Sequence, residues 1–555
     1  MNSSTSSRSL APVVTSPSSR GKAALSEPPL PAIGFPQKER RVSKKTPHRK
    51  RRIHIPERHS VWVRILMTLL CVIAVWSFAW PVYRAFLHVE IDNNEGWNAY
   101  FADAAMGKMP LYPAPEKLIT NNYPPLSFYI VGEFGRLIHD TVLAGRLISL
   151  FAVVAIAIAI AMLVCTLGGN RGGAAVAGAF FVAVMSRYYT SYVGMNDPQL
   201  LAQAVMACAF VGFAVHWFAQ RTQQEETQNV HGFGPLLPIL LMVVAGFIKH
   251  NIIAMPLTAF LWLLIRRPRQ ALKCYSIAIG AVIAGFALCY WAYGHDFFAN
   301  LMFSRQYSWK EAIASVGELK PLNAAALASA LLVWRLRRIP GVRFCGLFIG
   351  ISILSYLLQK TGAGVDVNAG FDFIISVSIG LGLAFAHAPE LFQSKKAPHS
   401  AETCGCGADR RLSVVCFLLR QRAWLTSDLL CAVLLAAICC RLLPTRHVWE
   451  QKALRLVFDS EFPQEIAIRE AAMAASVERV RHTEGDVMCS NLICYWAGKP
   501  FAIDRFNASQ RILTGALPVD AVQARLKYAL LTNVSTDPRA EWDKPMNSKL
   551  PRSMD

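Results

Sequence analysis

The sequence predicts a polytopic α-helical membrane protein. It should have about eleven transmembrane helices, interfacial helices in a long first external loop, and a small α/β extracytoplasmic domain at the C-terminal side. Three observations predict this. The chain of 555 residues is 54% hydrophobic and only 17% charged. Several apolar runs reach the roughly 20 residues that cross a bilayer as a helix. Clusters of Lys and Arg recur in alternate connecting segments, as they do in loops retained on the cytosolic side.

The elements follow in order. Residues 1–60 are rich in Ser, Pro and Thr and end in "KERRVSKKTPHRKRRIHIPERH". So little apolar surface does not offset the entropy of ordering, and a disordered cytosolic tail is expected. Its basic run reads as a positive-inside retention signal with affinity for anionic lipid, rather than as a cleavable signal peptide. The net charge of +21 then follows from topology and does not call for nucleic acid as a partner.

Spans are expected near 61–87, 143–166, 172–187, 198–219, 234–249, 251–266, 273–294, 321–335, 343–359, 369–388 and 424–443, forming a membrane domain over 61–443. "GGNRGG", "RRPRQ", "WRLRRIPGVR" and "DRRLSVVCFLLRQR" all fall inside when the N-terminus is cytosolic. "YPPLSFYIVGEFGRLI", Tyr123 to Ile138, is a tempting twelfth span. Counting it would reverse the charge of most later loops. It also opens on two prolines and carries Glu133 and Arg136, so it reads as a helix lying on the outer surface. Residues 88–142 thus form one external loop. Residues 444–555 alternate short apolar runs with turns, as a small α/β domain outside the membrane would. Of 14 cysteines, most sit in apolar segments as small hydrophobes. Cys489 and Cys494 are spaced to pair in an oxidising compartment. Cys404 and Cys406 lack a second pair at zinc spacing.

This topology gathers ionisable residues on one side. The first loop supplies Asp92, Glu95, Asp103 and Glu116, and the second supplies Asp197. Lys249, His250 and Asn251 follow, then His295, Asp296, Arg305 and Lys310, then Lys360, Asp366, Asn368 and Asp372. Polar groups at membrane level usually have a function. A transfer from a membrane-held phosphate donor to a hydroxyl needs these types: a carboxylate to take the proton and cations to hold the leaving phosphate. Plainer readings compete. Asp197 before Pro198 is a natural helix N-cap, Lys249–Asn251 is a polar hairpin, and Trp97 and Tyr100 fit an interfacial aromatic belt.

The stretch "NEGWNAYFADAAMGKMPLY…NNYPPLSFYIVG", then "AGRLISLF" and "NDPQLL", resembles the GT-C membrane glycosyltransferases. The likeness is nearest to the protein O-mannosyltransferases and lipid A aminoarabinose transferases. It spans roughly residues 60–390, with a weaker likeness near 485–515. It implies an inverting transferase that uses a polyprenyl-phosphate sugar at the outer face of a bacterial inner membrane, with a lipid, glycan or protein acceptor. The family's catalytic acid lies in the first loop, where its usual "DE" is here Asn94-Glu95. Either Glu95 carries the role or Asp92 has taken it over, with Asp197 as the second acid. Where the family has a basic residue before the two prolines, this chain has Asn122 and Tyr123. Lys249, His250 or Arg305 would then meet the donor phosphate. No cofactor is called for, and a divalent cation is left open.

Two other classes compete. A transporter or flippase would carry ionisable residues deep within its spans, and the runs here are nearly free of charge at their centres. A non-catalytic envelope-assembly protein would tolerate the altered "NE" and the missing pre-proline cation.

Overall fold

The computed structural model describes residues 60–114, 116–218, 234–302, 304–392, 410–443, 452–520 and 532–533. The predicted disorder of the N-terminal tail and the Cys404–Cys406 pair lie outside these residues.

Every predicted span is helical. Helix α1 (Val61–Arg84) starts where the Ser60 side chain accepts the Val63 N–H. In the next segment are α2 (Asn94–Ala105) and α3 (Leu126–Ile138). Then come α4 (Thr141–Thr166), α5 (Arg171–Tyr188), α6 (Pro198–Phe218), α7 (Leu236–Ile248), α8 (Ala254–Arg266) and α9 (Pro268–Tyr293). Short helices α10 (His295–Leu301) and α11 (Trp309–Ser315) lead into α12 (Asn323–Leu336), followed by α13 (Pro340–Gln359), α14 (Phe371–Ala386), α15 (Ala388–Phe392) and α16 (Arg410–Leu442). Among the described residues, eight helices are long and apolar enough to cross a membrane, the run Trp309–Leu336 counting as one. Helices α7 and α8 are apolar but shorter, and α5 is rich in small residues.

Helix α14 is the axis of the bundle. Its membrane-length window is wholly buried, packed by α4, α5, α12 and α13. Lipid supplies no hydrophobic drive between helices, so close approach and polar contacts must hold them. Ser376 meets the Ser352 hydroxyl at 2.9 Å, and the Ser329 hydroxyl reaches the Val377 carbonyl at 3.3 Å. The loops sort by end. At one end the 306–308 and 361–363 backbones pair, through Ser308 to Thr361 and Ala363 to Gln306, and Asn251 donates to Gln359. At the other, Arg267 lies over Trp217 and Arg335 reaches the Leu391 carbonyl.

The first loop departs from expectation in one respect. Helix α3 is amphipathic, burying Phe128 and Val131 while Tyr129 and Leu137 stay exposed. Helix α2, by contrast, is buried from Glu95 to Ala104 and does not lie on a surface. Trp97 and Tyr100, read as membrane-interface anchors, are only 7% and 4% exposed. What covers them is the C-terminal segment. That segment comprises α17 (Lys452–Phe458), α18 (Phe462–His482), strand β1 (Val487–Met488), α19 (Asn491–Trp496), α20 (Arg505–Leu513) and strand β2 (Thr532–Asn533). The described strand content is a two-residue parallel pairing of β1 with β2. Cys489 and Cys494 are disulfide-bonded. Helix α19 packs on α2 at Gly96, where any Cβ would overlap the Asn491–Leu492 backbone.

Candidate active site

The end of the bundle nearest the first loop is organised by one arginine. Asp140 caps α4, accepting the Leu143 N–H at 2.9 Å, and this sets Arg146 in the helix's second turn. Arg146 donates to the carbonyls of Ala85, Leu87 and Val89 and, through Nε and Nη2, to both oxygens of Glu95 at 2.8 and 2.7 Å. Glu95 also accepts the backbone N–H groups of Ile91 (2.9 Å) and Asn196 (3.2 Å). The Asn196 side chain lies directly on Gly145, where a Cβ would collide with its amide. Glu95 is fully buried and takes four hydrogen bonds, about the acceptor capacity of a carboxylate. It anchors the turn that leads into α2.

Asp92 sits on that turn, half-buried, with Oδ1 accepting the Asn94 N–H at 2.9 Å. Burial is the main cause that raises its pKa. The neighbouring carboxylates of Glu95, Asp197 and Asp366 add to it and the Asn94 bond opposes it, leaving the group at about 6. Asp366, in turn, accepts the Tyr192 hydroxyl at 2.9 Å.

Asp197 does cap α6: its Oδ1 accepts the Gln199 N–H at 2.8 Å. It also faces Lys249, whose Nζ lies 3.5 Å from the same oxygen. Lys249 ends α7, is 3% exposed, and stands 3.8 Å from the centroid of the Tyr123 ring. Among the described residues its ammonium meets only Asp197 and the Tyr123 ring. Tyr123 precedes the two prolines, and the Lys249 cation from the end of α7 stacks on its ring. His250 is exposed, yet desolvation and the Lys249 and Arg305 cations hold its pKa down to about 4. It is therefore neutral at pH 7. Arg305 is half-buried, near His250, with its guanidinium 5.8 Å from the Phe506 ring.

The other ionisable candidates stand apart. Lys360 pairs with Glu318 at 2.9 Å and donates to Val365. Asp372 accepts the Ala254 N–H at the start of α8. Asp103 binds Lys108, Thr141 and the Tyr495 hydroxyl. These contacts join loops and helix ends. Glu116 and Lys310 are exposed. Among the described residues no group of three His, Cys, Asp or Glu side chains could hold a metal ion. Sequence reasoning quoted Arg146 and Asn196 within motifs but missed them as partners of Glu95. An arginine so close to an apolar run was the available signal.

No family model matches the chain, and no curated protein does. Among solved structures it is similar to ArnT from Cupriavidus metallidurans. The apo form shares 12% identity over 84% of this chain and 90% of that one, with a TM-score of 0.49. The form bound to undecaprenyl phosphate shares 13% over 85% and 90%, with a TM-score of 0.48. It is also similar to the archaeal oligosaccharyltransferase AglB from Archaeoglobus fulgidus in complex with an inhibitory peptide and a dolichol-phosphate. There the identity is 9% over 74% of this chain and 59% of that one, with a TM-score of 0.35. Likeness this distant assigns no residue a role.

Proposed function

We propose that the protein is a membrane glycosyltransferase that moves a sugar from a polyprenyl phosphate to a hydroxyl of a lipid, glycan or protein acceptor, with inversion at the anomeric carbon. The observation that carries this reading is Lys249. It is a buried ammonium whose partners among the described residues are only the Asp197 carboxylate at 3.5 Å and the Tyr123 ring, at the end of the bundle where Asp92 and Arg305 also gather. A buried cation left short of hydrogen bonds is costly, and an incoming phosphate would supply them.

In this reading Asp92 is the general base. Of Asp92 and Glu95, Asp92 alone has a carboxylate oxygen free of hydrogen bonds among the described residues, and its pKa near 6 suits proton transfer near neutral pH. Glu95, saturated by Arg146 and two backbone N–H groups, positions the Asp92 turn. The acceptor hydroxyl attacks the anomeric carbon and gives its proton to Asp92. The bond to the phosphate oxygen breaks on the opposite side, and Lys249 and Arg305 stabilise the departing polyprenyl phosphate. Asp197 keeps Lys249 in place, and His250 adds a neutral hydrogen bond.

The same proposal includes eleven spans, with the N-terminus cytosolic and the site at the outer face of a bacterial inner membrane. The charge rule supports that orientation. The docking of α19 on α2 supports an even number of crossings between them. Comparative glycan and lipid profiling of a deletion strain is the test. Loss of one sugar substituent is expected; an unchanged profile accompanied by loss of an envelope complex would point to an assembly role instead.

A further inference from the structure

Asp504 is 7% exposed and lies in the C-terminal segment, far in sequence from the residues it touches. As the N-cap of α20 it accepts the Asn507 N–H at 3.0 Å. A cap needs no more than that. Yet its other oxygen accepts the Trp97 indole N–H at 3.1 Å, from the first turn of α2. Its own N–H donates to the Leu118 carbonyl at 2.7 Å. The Arg305 charge is near enough to act on it. One turn further, Gln510 accepts the Gln306 N–H at 3.2 Å, and Phe506 lies between the Arg305 guanidinium and Gly364. Asp504 therefore joins two parts of the site that the chain builds separately: the helix that follows Asp92 and the loop that carries Arg305.

We propose that Asp504 is a positioning residue that fixes the spacing between the Asp92 turn and Arg305 by holding Trp97 to the start of α20. It acts through α2 and touches no reacting atom. The catalytic part of this inference rests on the glycosyltransferase reading, whereas the structural part does not.

The test uses the full chain in nanodiscs. Asp504→Ser keeps a good helix cap but is too short to reach Trp97. Trp97→Phe keeps an aromatic ring, removes the donor along with part of the indole, and serves if Asp504→Ser fails to assemble. Hydrogen exchange is followed over residues 94–105, 304–310 and 505–513 without substrate. Both variants should exchange about tenfold faster or more across 94–105, with 505–513 still protected. With an undecaprenyl-phosphate sugar as donor, kcat should fall about tenfold and KM change little. Asp504→Ser exchanging like wild type across 94–105, or loosening only 505–513, would reduce Asp504 to a cap and overturn the proposal. A wild-type protein inactive with every donor tried would sink the glycosyltransferase reading while leaving the exchange result standing.

Discussion

Two buried ion pairs lie at the same end of this molecule, and they are built in opposite ways. In Glu95–Arg146 every polar atom of the carboxylate is bonded, and the guanidinium is spent on three carbonyls as well. In Asp197–Lys249 the charges stand 3.5 Å apart, and among the described residues the ammonium otherwise meets only an aromatic face. Both pairs are almost completely shielded from solvent. Burial therefore does not distinguish the two pairs; the saturation of hydrogen bonds does. A saturated pair has nothing left to offer a ligand, whereas an under-bonded one has a cation to lend.

The comparison can be broken by substitution. The largest effect is expected at Asp92, outside both pairs: Asp92→Asn should lower transfer from a polyprenyl-phosphate sugar by about 10²- to 10⁴-fold, the usual share of a general base. Transfer within threefold of wild type would remove Asp92 from the mechanism. Next is the saturated pair. Glu95→Gln strands the Arg146 charge and should cost about 3–5 kcal/mol of stability, read as a lower unfolding midpoint in detergent. The Glu95→Gln/Arg146→Met double variant should recover part of that loss. If Glu95→Gln unfolds like wild type, the scaffold role is wrong.

The under-bonded pair should add an effect on the donor. Lys249→Met strands the buried Asp197 carboxylate, so the midpoint should fall here too, and the donor KM should rise about 10- to 100-fold, as expected for a lost charge-assisted contact. A fall in stability with KM intact would make Lys249 structural after all. The smallest effect is in pH. Asp92 must be ionised to act, so transfer should fall about tenfold per unit below about pH 6. The linked stability runs in the opposite sense. Because folding raises this pKa, the folded state holds the proton more tightly, and the stability gained at low pH is lost as pH rises through about 6. Asp92→Asn should therefore gain a little in midpoint above pH 6 and nothing near pH 4.

Much of this was legible in the sequence because membranes impose simple rules. Apolar length placed a helix in each expected span, eight of the described helices being long and apolar enough to cross a membrane, and the Tyr123–Ile138 stretch forms a short amphipathic helix. The ionisable residues were gathered at one end by the same count. What could not be read was pairing. Nothing in "NEG" says that Glu95 is claimed by an arginine 51 residues later. Nothing in "YPPL" says that a lysine from α7 will stack on Tyr123. Trp97 and Tyr100 were assigned to the interface because aromatic belts and buried aromatics share a composition. Only the return of the C-terminal segment separates the two, and its contacts span some 400 residues.

That return sets an order of events in biosynthesis. Helix α2 leaves the ribosome some 400 residues before its cover, α19 and Asp504. Until then the first loop must wait with Trp97, Tyr100 and Phe101 uncovered. Synthesis halted before residue 490 leaves a chain whose membrane helices can insert but whose site has no roof.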